Sequence, residues 1–319
     1  MPRGRKITKV IEIEECSLAQ ASAEFFRHNK VKGLAEETQK SYKGYVGNFV
    51  KWCGVDTPVM EITAKTLDGY LYEKSSEGIK DISLATTMKH IRRFVNFCVS
   101  RGYMERVEIT IPKFEEELKD PYTREEMRLL LARPKTTNWV EWRCWAMTNY
   151  FYGTGQRLST VLNIKICHLD LENAKVKLVW NKDKRQKYMP LSTALVKVLK
   201  EYILLSGLEE NDYLFPEYEG KQLKKRSAED AMTDYNHARG VSRTGIHIFR
   251  NTFAKEYIVN GGNPAKLQKL LNHKTIEQTM KYVKLYGTDI SEDLDIFNPL
   301  DSFKRENYKP SKRRQVIGA

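Results

Sequence analysis

The sequence predicts a mainly α-helical protein with a small antiparallel β-sheet, divided between two domains. Apolar residues recur at spacings of three and four over most of the chain, the period of a helix with one buried face. Residues 174–180 instead alternate between apolar and polar side chains. A polar turn and a return strand at 186–190 follow, a pattern that is typical of a hairpin. A length of 319 residues favours two domains over one.

The composition indicates packed cores and a polyanionic partner. Hydrophobic residues make up 41% of the chain, and seventeen residues are tyrosines, which favours packed cores over disorder. The formal net charge of +13 favours nucleic acid as the partner, while ribosomal contacts and an anionic membrane surface also fit the charge alone. No segment pairs a Lys-rich face with a bulky apolar one, so we expect no membrane association.

The sequence also indicates the cellular compartment in which the protein is expected. No apolar run approaches the ~20 residues of a membrane span, and the basic N-terminus leads into no apolar segment of a secretory signal. The five cysteines are widely spaced and form no C-x-x-C pair, which is typical of reduced thiols and gives no zinc site or disulfide frame. We therefore expect a cytoplasmic, nucleoid-associated protein.

Four helices are predicted in an N-terminal domain over residues 14–105, after a basic arm at 1–13. Gly102 is expected to end the fourth helix. The helices are expected to start at hydroxyl residues that suit N-cap positions, Ser17, Thr38, Thr63 and Ser83.

One face of this domain is basic. A charged face is usually only solvated, but the chain as a whole is so basic that we expect this face to contact phosphates. The residues concerned are Lys40, Lys43, Lys89, Arg92 and Arg93.

The second domain is expected over residues 122–292, after a linker at 106–121 that carries an acidic run. A capping box that starts at Thr123 opens its first helix. An aromatic-rich helix follows over 139–152, and the glycines after it leave Arg157 at the start of another helix, where backbone N–H groups favour anions. Without the other motifs, an ordinary ion pair would be the better interpretation of Arg157.

The turn of the predicted hairpin is crowded with basic side chains. Plain phosphate contacts are the usual role of such a turn. The residues are Lys182, Lys184, Arg185 and Lys187, and Arg243 is a further candidate for contact with DNA.

The segment 246–282 combines residues suited to chemistry on a phosphate diester. His247 and Arg250 are three residues apart, which places them on one face of a helix. Arg binds phosphate oxygens through a rigid fork of donors, His exchanges protons near neutral pH, and Tyr becomes a nucleophile when cations favour its phenolate. Thr275 is expected to cap the helix that carries Tyr282. Two short turns are expected to bring His273 and Tyr282 back towards the face of His247 and Arg250. For each of these residues taken alone, a surface or packing role is the better interpretation than a catalytic one.

The order of these residues resembles the C-terminal signature of the tyrosine recombinases, the phage integrase family. The signature is His-x-x-Arg, Leu-x-His and a Tyr nine residues further on, and the chain also has Gly-Gln-Arg-Leu-Ser at 155–159 and a hairpin Lys before Pro190. The resemblance implies a helical core-binding domain of the SAM-like type and an α+β catalytic domain. It covers the chain from about residue 17 to residue 282.

The resemblance implies cutting and rejoining of DNA through a 3′-phosphotyrosine, without a metal, another cofactor or ATP. Tyr282 is the implied nucleophile, Lys182 is the implied general acid with Lys184 as the alternative, and Tyr286 is a decoy nucleophile on the same helix. The implied catalytic residues are Arg157, Lys182, His247, Arg250, His273 and Tyr282.

Three positions depart from the family pattern. Thr160 stands where the family usually has an acidic residue that braces the site. Asn251 replaces a frequent His, and Asn272 replaces a common Gly.

The resemblance also implies partners. These are double-stranded DNA with a specific recombination site, a dimer on each site, a tetramer in synapsis and accessory DNA-bending proteins. The segment 293–319 is expected to join protomers and end in a basic tail, or else to fold back on its own domain. A non-catalytic DNA-binding protein of this fold and a relaxing enzyme like the type IB topoisomerases are the alternative functions.

Overall fold

A computed structural model of the chain describes residues 15–114, 120–179 and 187–287. The chain forms two compact units, residues 1–117 and 118–319. No helix within the described ranges is long and apolar enough to cross a membrane.

The N-terminal unit packs four helices around one core in which Phe25, Phe49 and Phe94 are buried. The rings of Phe25 and Phe94 meet edge to face at 5.6 Å, a favoured aromatic geometry. The helices are α1 (Leu18–Val31), α2 (Glu36–Cys53), α3 (Ala64–Ser76) and α4 (Asp81–Arg101), with a 3-10 turn at Val59–Glu61.

Two of the four predicted helix starts in this unit are confirmed. Ser17 and Thr63 cap α1 and α3 through capping boxes. The starts predicted at Thr38 and Ser83 are wrong, because α2 and α4 each begin two residues earlier. Their first turns carry acidic residues, which the helix dipole favours at that end, and neither helix has a side-chain cap. Gly102 ends α4 in a left-handed conformation, as predicted.

The C-terminal unit surrounds α6, which is buried on nearly all sides. Tyr122 joins the start of this unit to α10, because its backbone N–H donates to Thr252 Oγ1 at 2.9 Å. The elements are α5 (Arg124–Leu131), α6 (Trp139–Thr154), α7 (Leu158–Val161), a 3-10 turn at Ile166–His168, β1 (Leu169–Asp170), β2 (Lys175–Leu178), β3 (Lys187–Pro190), α8 (Thr193–Ser206), α9 (Lys225–Ala238), α10 (Ile246–Val259), α11 (Pro264–Leu271) and α12 (Glu277–Tyr286).

The predicted hairpin is present as the second and third strands of an antiparallel sheet with the order β1-β2-β3. Val176 pairs with Met189 in register, and both side chains are buried while their strand neighbours are more exposed. The sheet therefore presents one face to the core. The turn at 180–186 lies outside the described residues.

Helices α10, α11 and α12 form a small separate core. Asn263 caps α11 and Pro264 occupies its first turn, while Asn272 ends it in the left-handed region at φ 52°. The cap predicted at Thr275 is wrong, since Ile276 holds the N-cap position of α12 without a side-chain cap. Thr275 instead hydrogen-bonds to the carboxylate of Glu277 and lowers its pKa.

Candidate active site

Residues 155–157 attach the end of α6 to the second turn of α10 and to the C-terminal end of α11. The Gly155 carbonyl accepts a hydrogen bond from Arg250 Nη1 at 2.7 Å. Gln156 Nε2 donates to the Leu270 carbonyl at 2.8 Å, and Arg157 Nη1 donates to the Asn272 carbonyl at 3.4 Å. This attachment brings the two predicted phosphate-binding arginines together.

Gly155 permits this close approach. Its backbone is left-handed at φ +61°, and a Cβ added there would lie 2.5 Å from Phe253 Cδ1 and 2.7 Å from Leu271 Cδ2. Any other side chain would therefore be both strained and obstructed.

Backbone carbonyls fix the charge of Arg250 in place. The residue is only 3% exposed, and besides its bond to Gly155 its Nη2 donates to the Leu271 carbonyl at 2.7 Å. Burial first, and then the charge of Arg157, lower the pKa of Arg250 to about 10, while Tyr282 acts in the opposite direction. Arg250 is therefore still a cation at neutral pH.

No carboxylate neutralises these guanidinium groups in the described part of the chain, where the ion pairs include neither Arg157 nor Arg250. Carbonyl oxygens accept hydrogen bonds without cancelling a full charge. The arrangement is therefore suited to an anionic ligand with several oxygens, such as a phosphodiester.

His273 lies within this cationic group. Its Nδ1 is 2.8 Å from the hydroxyl of Thr279, one turn before Tyr282 on α12. Burial first, then the charges of Arg250, Arg157 and His247, lower the pKa of His273 to about 4. The imidazole is thus neutral at physiological pH and can accept a proton, whereas His247 is exposed in the first turn of α10.

Tyr282 is buried at 4% exposure, and its ring lies parallel to that of His273 with the centroids 6.5 Å apart. Its hydroxyl donates to Asn251 Oδ1 at 2.9 Å. Tyr286 lies differently, with its ring 5.7 Å from Lys255 Nζ. Burial first, and then Asp120, raise the pKa of Tyr286, which disfavours the phenolate of a nucleophile.

The structure thus brings together five of the six predicted catalytic residues, Arg157, His247, Arg250, His273 and Tyr282. Lys182 lies outside the described residues, as do Lys184 and Arg185 of the same turn. Lys187 donates from Nζ to the Lys269 carbonyl at 2.6 Å, so its ammonium group reaches the end of α11.

Sequence reasoning missed three residues that hold this site. Gln156 and Asn251 each adjoin a motif arginine, and Thr279 precedes the tyrosine by one helical turn. Their positions next to the motif residues were the sequence signal that could have identified them. The sequence does not show which residue each of them contacts, because those contacts are tertiary.

The predicted basic face of the N-terminal unit is exposed to solvent. Arg92 and Arg93 line a cavity of about 700 Å³ together with Arg106, and Lys89 Nζ lies 5.1 Å from the Phe114 ring. Lys40 and Lys43 are exposed on α2. Contact between these residues and DNA stays a prediction.

Arg243 has a structural partner within the C-terminal unit. Its guanidinium forms two hydrogen bonds with the carboxylate of Glu126 and lies 5.6 Å from the Tyr122 ring. These contacts join the segment before α10 to α5. The predicted contact of Arg243 with DNA remains a prediction.

Within the three described ranges, no group of three or more His, Cys, Asp or Glu side chains is placed to hold a metal ion.

The mainly helical fold with its small antiparallel sheet is that of the tyrosine recombinase class of proteins. Residues 122–288 match the phage integrase family, and the chain belongs to that family. The predicted fold class and family are therefore confirmed. So is the predicted enzyme class, the tyrosine-type DNA strand transferases of site-specific recombination.

Similar proteins match most of the chain. Tyrosine recombinase XerD of Halalkalibacterium halodurans is 24% identical over an alignment 302 residues long, and the match covers 86% of this chain and 96% of that protein. A probable integrase/recombinase of Acholeplasma phage L2 is 28% identical over 61% of this chain and 69% of that protein.

The fold is also found in solved integrase structures. The λ integrase tetramer bound to a Holliday junction has a TM-score of 0.68 and 16% identity, and the match covers 84% of this chain and 78% of that one. The Tn1549 transposon integrase in complex with circular intermediate DNA has a TM-score of 0.67 and 13% identity, with 92% and 99% covered.

Proposed function

We propose that the protein recombines double-stranded DNA at a specific site, through a 3′-phosphotyrosine and without a cofactor, to integrate or excise a mobile element or to resolve DNA. The observation that carries the proposal is that Tyr282 is buried beside Arg250. Arg250 and Arg157 form a cationic cluster there that no carboxylate of the described residues neutralises. Such a group stabilises the charge that develops on a phosphate under attack.

The first step exchanges one phosphodiester for another. Tyr282 Oη forms a bond to the phosphorus, the bond to the 5′ oxygen breaks, and Lys182 donates a proton to that leaving oxygen. The phenol proton passes to the imidazole of His273, which is neutral before the step. Arg157 and Arg250 bind the non-bridging oxygens, and His247 adds a hydrogen bond.

The second step reverses the first with a new strand. A 5′-hydroxyl gives its proton to the Lys182 amine and attacks the phosphorus, the phosphorus–tyrosine bond breaks, and the proton on His273 returns to the Tyr282 oxygen. The covalent intermediate conserves the phosphodiester energy, so the strand exchange needs no ATP.

The similar solved structures support DNA and a homo-oligomer as partners, since one of them is a tetramer on a Holliday junction. We propose a dimer on each site and a tetramer in synapsis, on which accessory DNA-bending proteins act. The phosphate contacts proposed for the N-terminal unit come from its exposed basic face, Lys40, Lys43, Lys89, Arg92 and Arg93.

Trapping the covalent intermediate tests the proposal. A binding site is first selected by the purified protein from random duplex DNA, and a nicked suicide duplex is built on it. We expect the wild-type protein to form an adduct that survives denaturation. Tyr282→Phe keeps the ring in its apolar contacts and should bind the duplex without forming an adduct.

Absence of an adduct from the wild-type protein on a duplex that it binds would favour the non-catalytic alternative. Formation of the adduct together with joining of two sites would separate a recombinase from a topoisomerase, which only relaxes supercoils.

A further inference from the structure

The hydroxyl of Tyr282 has a fixed acceptor inside the protein. It donates to Asn251 Oδ1 at 2.9 Å, and the two residues are 4% and 2% exposed. Asn251 directly follows Arg250 on α10, so one turn of helix carries both an arginine of the site and the acceptor for the tyrosine.

Packing and hydrogen bonding control different parts of the tyrosine. The phenol ring belongs to the small core of α10, α11 and α12, where it packs with Ala254, Ile258, Leu267 and Leu271. These apolar contacts fix the ring but leave the O–H bond free to rotate. The amide oxygen of Asn251 determines where that bond points, and therefore where the oxygen lone pairs point.

The chemistry of an amide suits this position. A carboxylate at residue 251 would accept the same hydrogen bond, but its charge would oppose formation of the phenolate. It would also neutralise the adjacent Arg250, whose guanidinium is held by uncharged carbonyl oxygens. An amide directs the phenol without either electrostatic penalty.

We propose that Asn251 is a positioning residue that orients the hydroxyl of Tyr282 for attack on the scissile phosphate. This inference rests on the proposed function. Asn251 acts through the tyrosine, so its loss slows formation of the phosphotyrosine and leaves the affinity for DNA unchanged.

The test measures single-turnover adduct formation against pH on the selected suicide duplex. Asn251→Leu keeps the volume of the side chain and removes the acceptor, and we expect adduct formation to slow by about 10- to 100-fold at every pH. Asn251→Asp keeps the acceptor and adds a charge, so its rate profile should move to higher pH by about one to three units. Fluorescence anisotropy should show unchanged affinity for the duplex in both variants.

Thr252→Val is the matched control. Thr252 is the next residue of α10, is 1% exposed and forms hydrogen bonds to Tyr122 and Ile248 outside the site. Its variant loses a buried hydroxyl of the same helix, and we expect a wild-type rate and pH profile.

Three results would overturn the positioning role of Asn251. A wild-type rate in Asn251→Leu, an unmoved pH profile in Asn251→Asp, or an equal slowing in Thr252→Val would refute it while the wild-type adduct upholds the proposed function. Absence of the wild-type adduct would refute both proposals together.

Discussion

Replacement of Gly155 by alanine tests how tightly the end of α6 must approach α10 and α11. The carbonyl of Gly155 binds Arg250, and its Cα faces the side chains of Phe253 and Leu271. Gly155→Ala should therefore affect both the stability of the C-terminal unit and the position of the arginine.

The destabilisation has two parts. A left-handed alanine costs about 1–2 kcal/mol relative to glycine. The added methyl group would lie 2.5 Å from Phe253 and 2.7 Å from Leu271, and overpacking of this kind costs about 1–3 kcal/mol more. We expect Gly155→Ala to lower the free energy of unfolding by about 2–5 kcal/mol in all.

Gly207 provides a matched control. It ends α8 at the same φ of +61°, but nothing lies within 4 Å of an added Cβ. Gly207→Ala should therefore lose only the conformational part, about 1–2 kcal/mol. The difference between the two variants isolates the steric part.

Urea unfolding followed by tryptophan fluorescence measures this difference. Of the five tryptophans, only Trp52 belongs to the N-terminal unit, so the signal reports mainly on the C-terminal unit. Gly155→Ala should also slow adduct formation by up to about 100-fold through displacement of Arg250. Equal losses of stability in the two variants would refute the close packing described for Gly155.

Two further predictions concern ionisable residues. The pKa of His273 is about 4 in the folded protein against 6.5 in its unperturbed state, so the unfolded chain binds the proton first as the pH falls. The stability that depends on this residue is therefore present above pH 6.5 and is lost as the pH falls towards 4. In urea unfolding, His273→Asn should reduce the fall in the free energy of unfolding between these two pH values by on the order of 2 kcal/mol. Arg243→Ala breaks the charged hydrogen bonds to Glu126 and should lower the free energy of unfolding by about 1–3 kcal/mol; an unchanged stability would contradict this role. In the same variant, a decrease of about one in the slope of log affinity against log salt would reveal the predicted phosphate contact.

Local chemistry made much of the fold predictable. Ser17, Thr63 and Thr123 cap helices as expected, because each hydroxyl and the backbone N–H that donates to it lie within one turn. The same reasoning failed at Thr38, Ser83 and Thr275. There a hydroxyl lies near a helix start but the first turn begins elsewhere, and the sequence does not show which backbone N–H groups are already satisfied.

The site residues were predicted from the order of the motifs, whereas the contacts that hold them were not. Gln156 and Leu270 are 114 positions apart, and Asn251 and Tyr282 are 31 apart. No periodicity links such pairs, since each contact depends on how α6, α10, α11 and α12 pack in three dimensions. Gly155 was interpreted as a helix breaker, and its steric role required knowledge of Phe253 and Leu271.

The position of α12 in the chain has a consequence for synthesis of the protein. The ribosome completes α6, α10 and α11 before the helix that carries Tyr282 emerges, so the arginine pair is made before the nucleophile. By the proposed mechanism, a nascent or prematurely terminated chain that stops before residue 277 could occupy DNA but could not open a strand. Such fragments would act as competitors of the intact enzyme at its own sites.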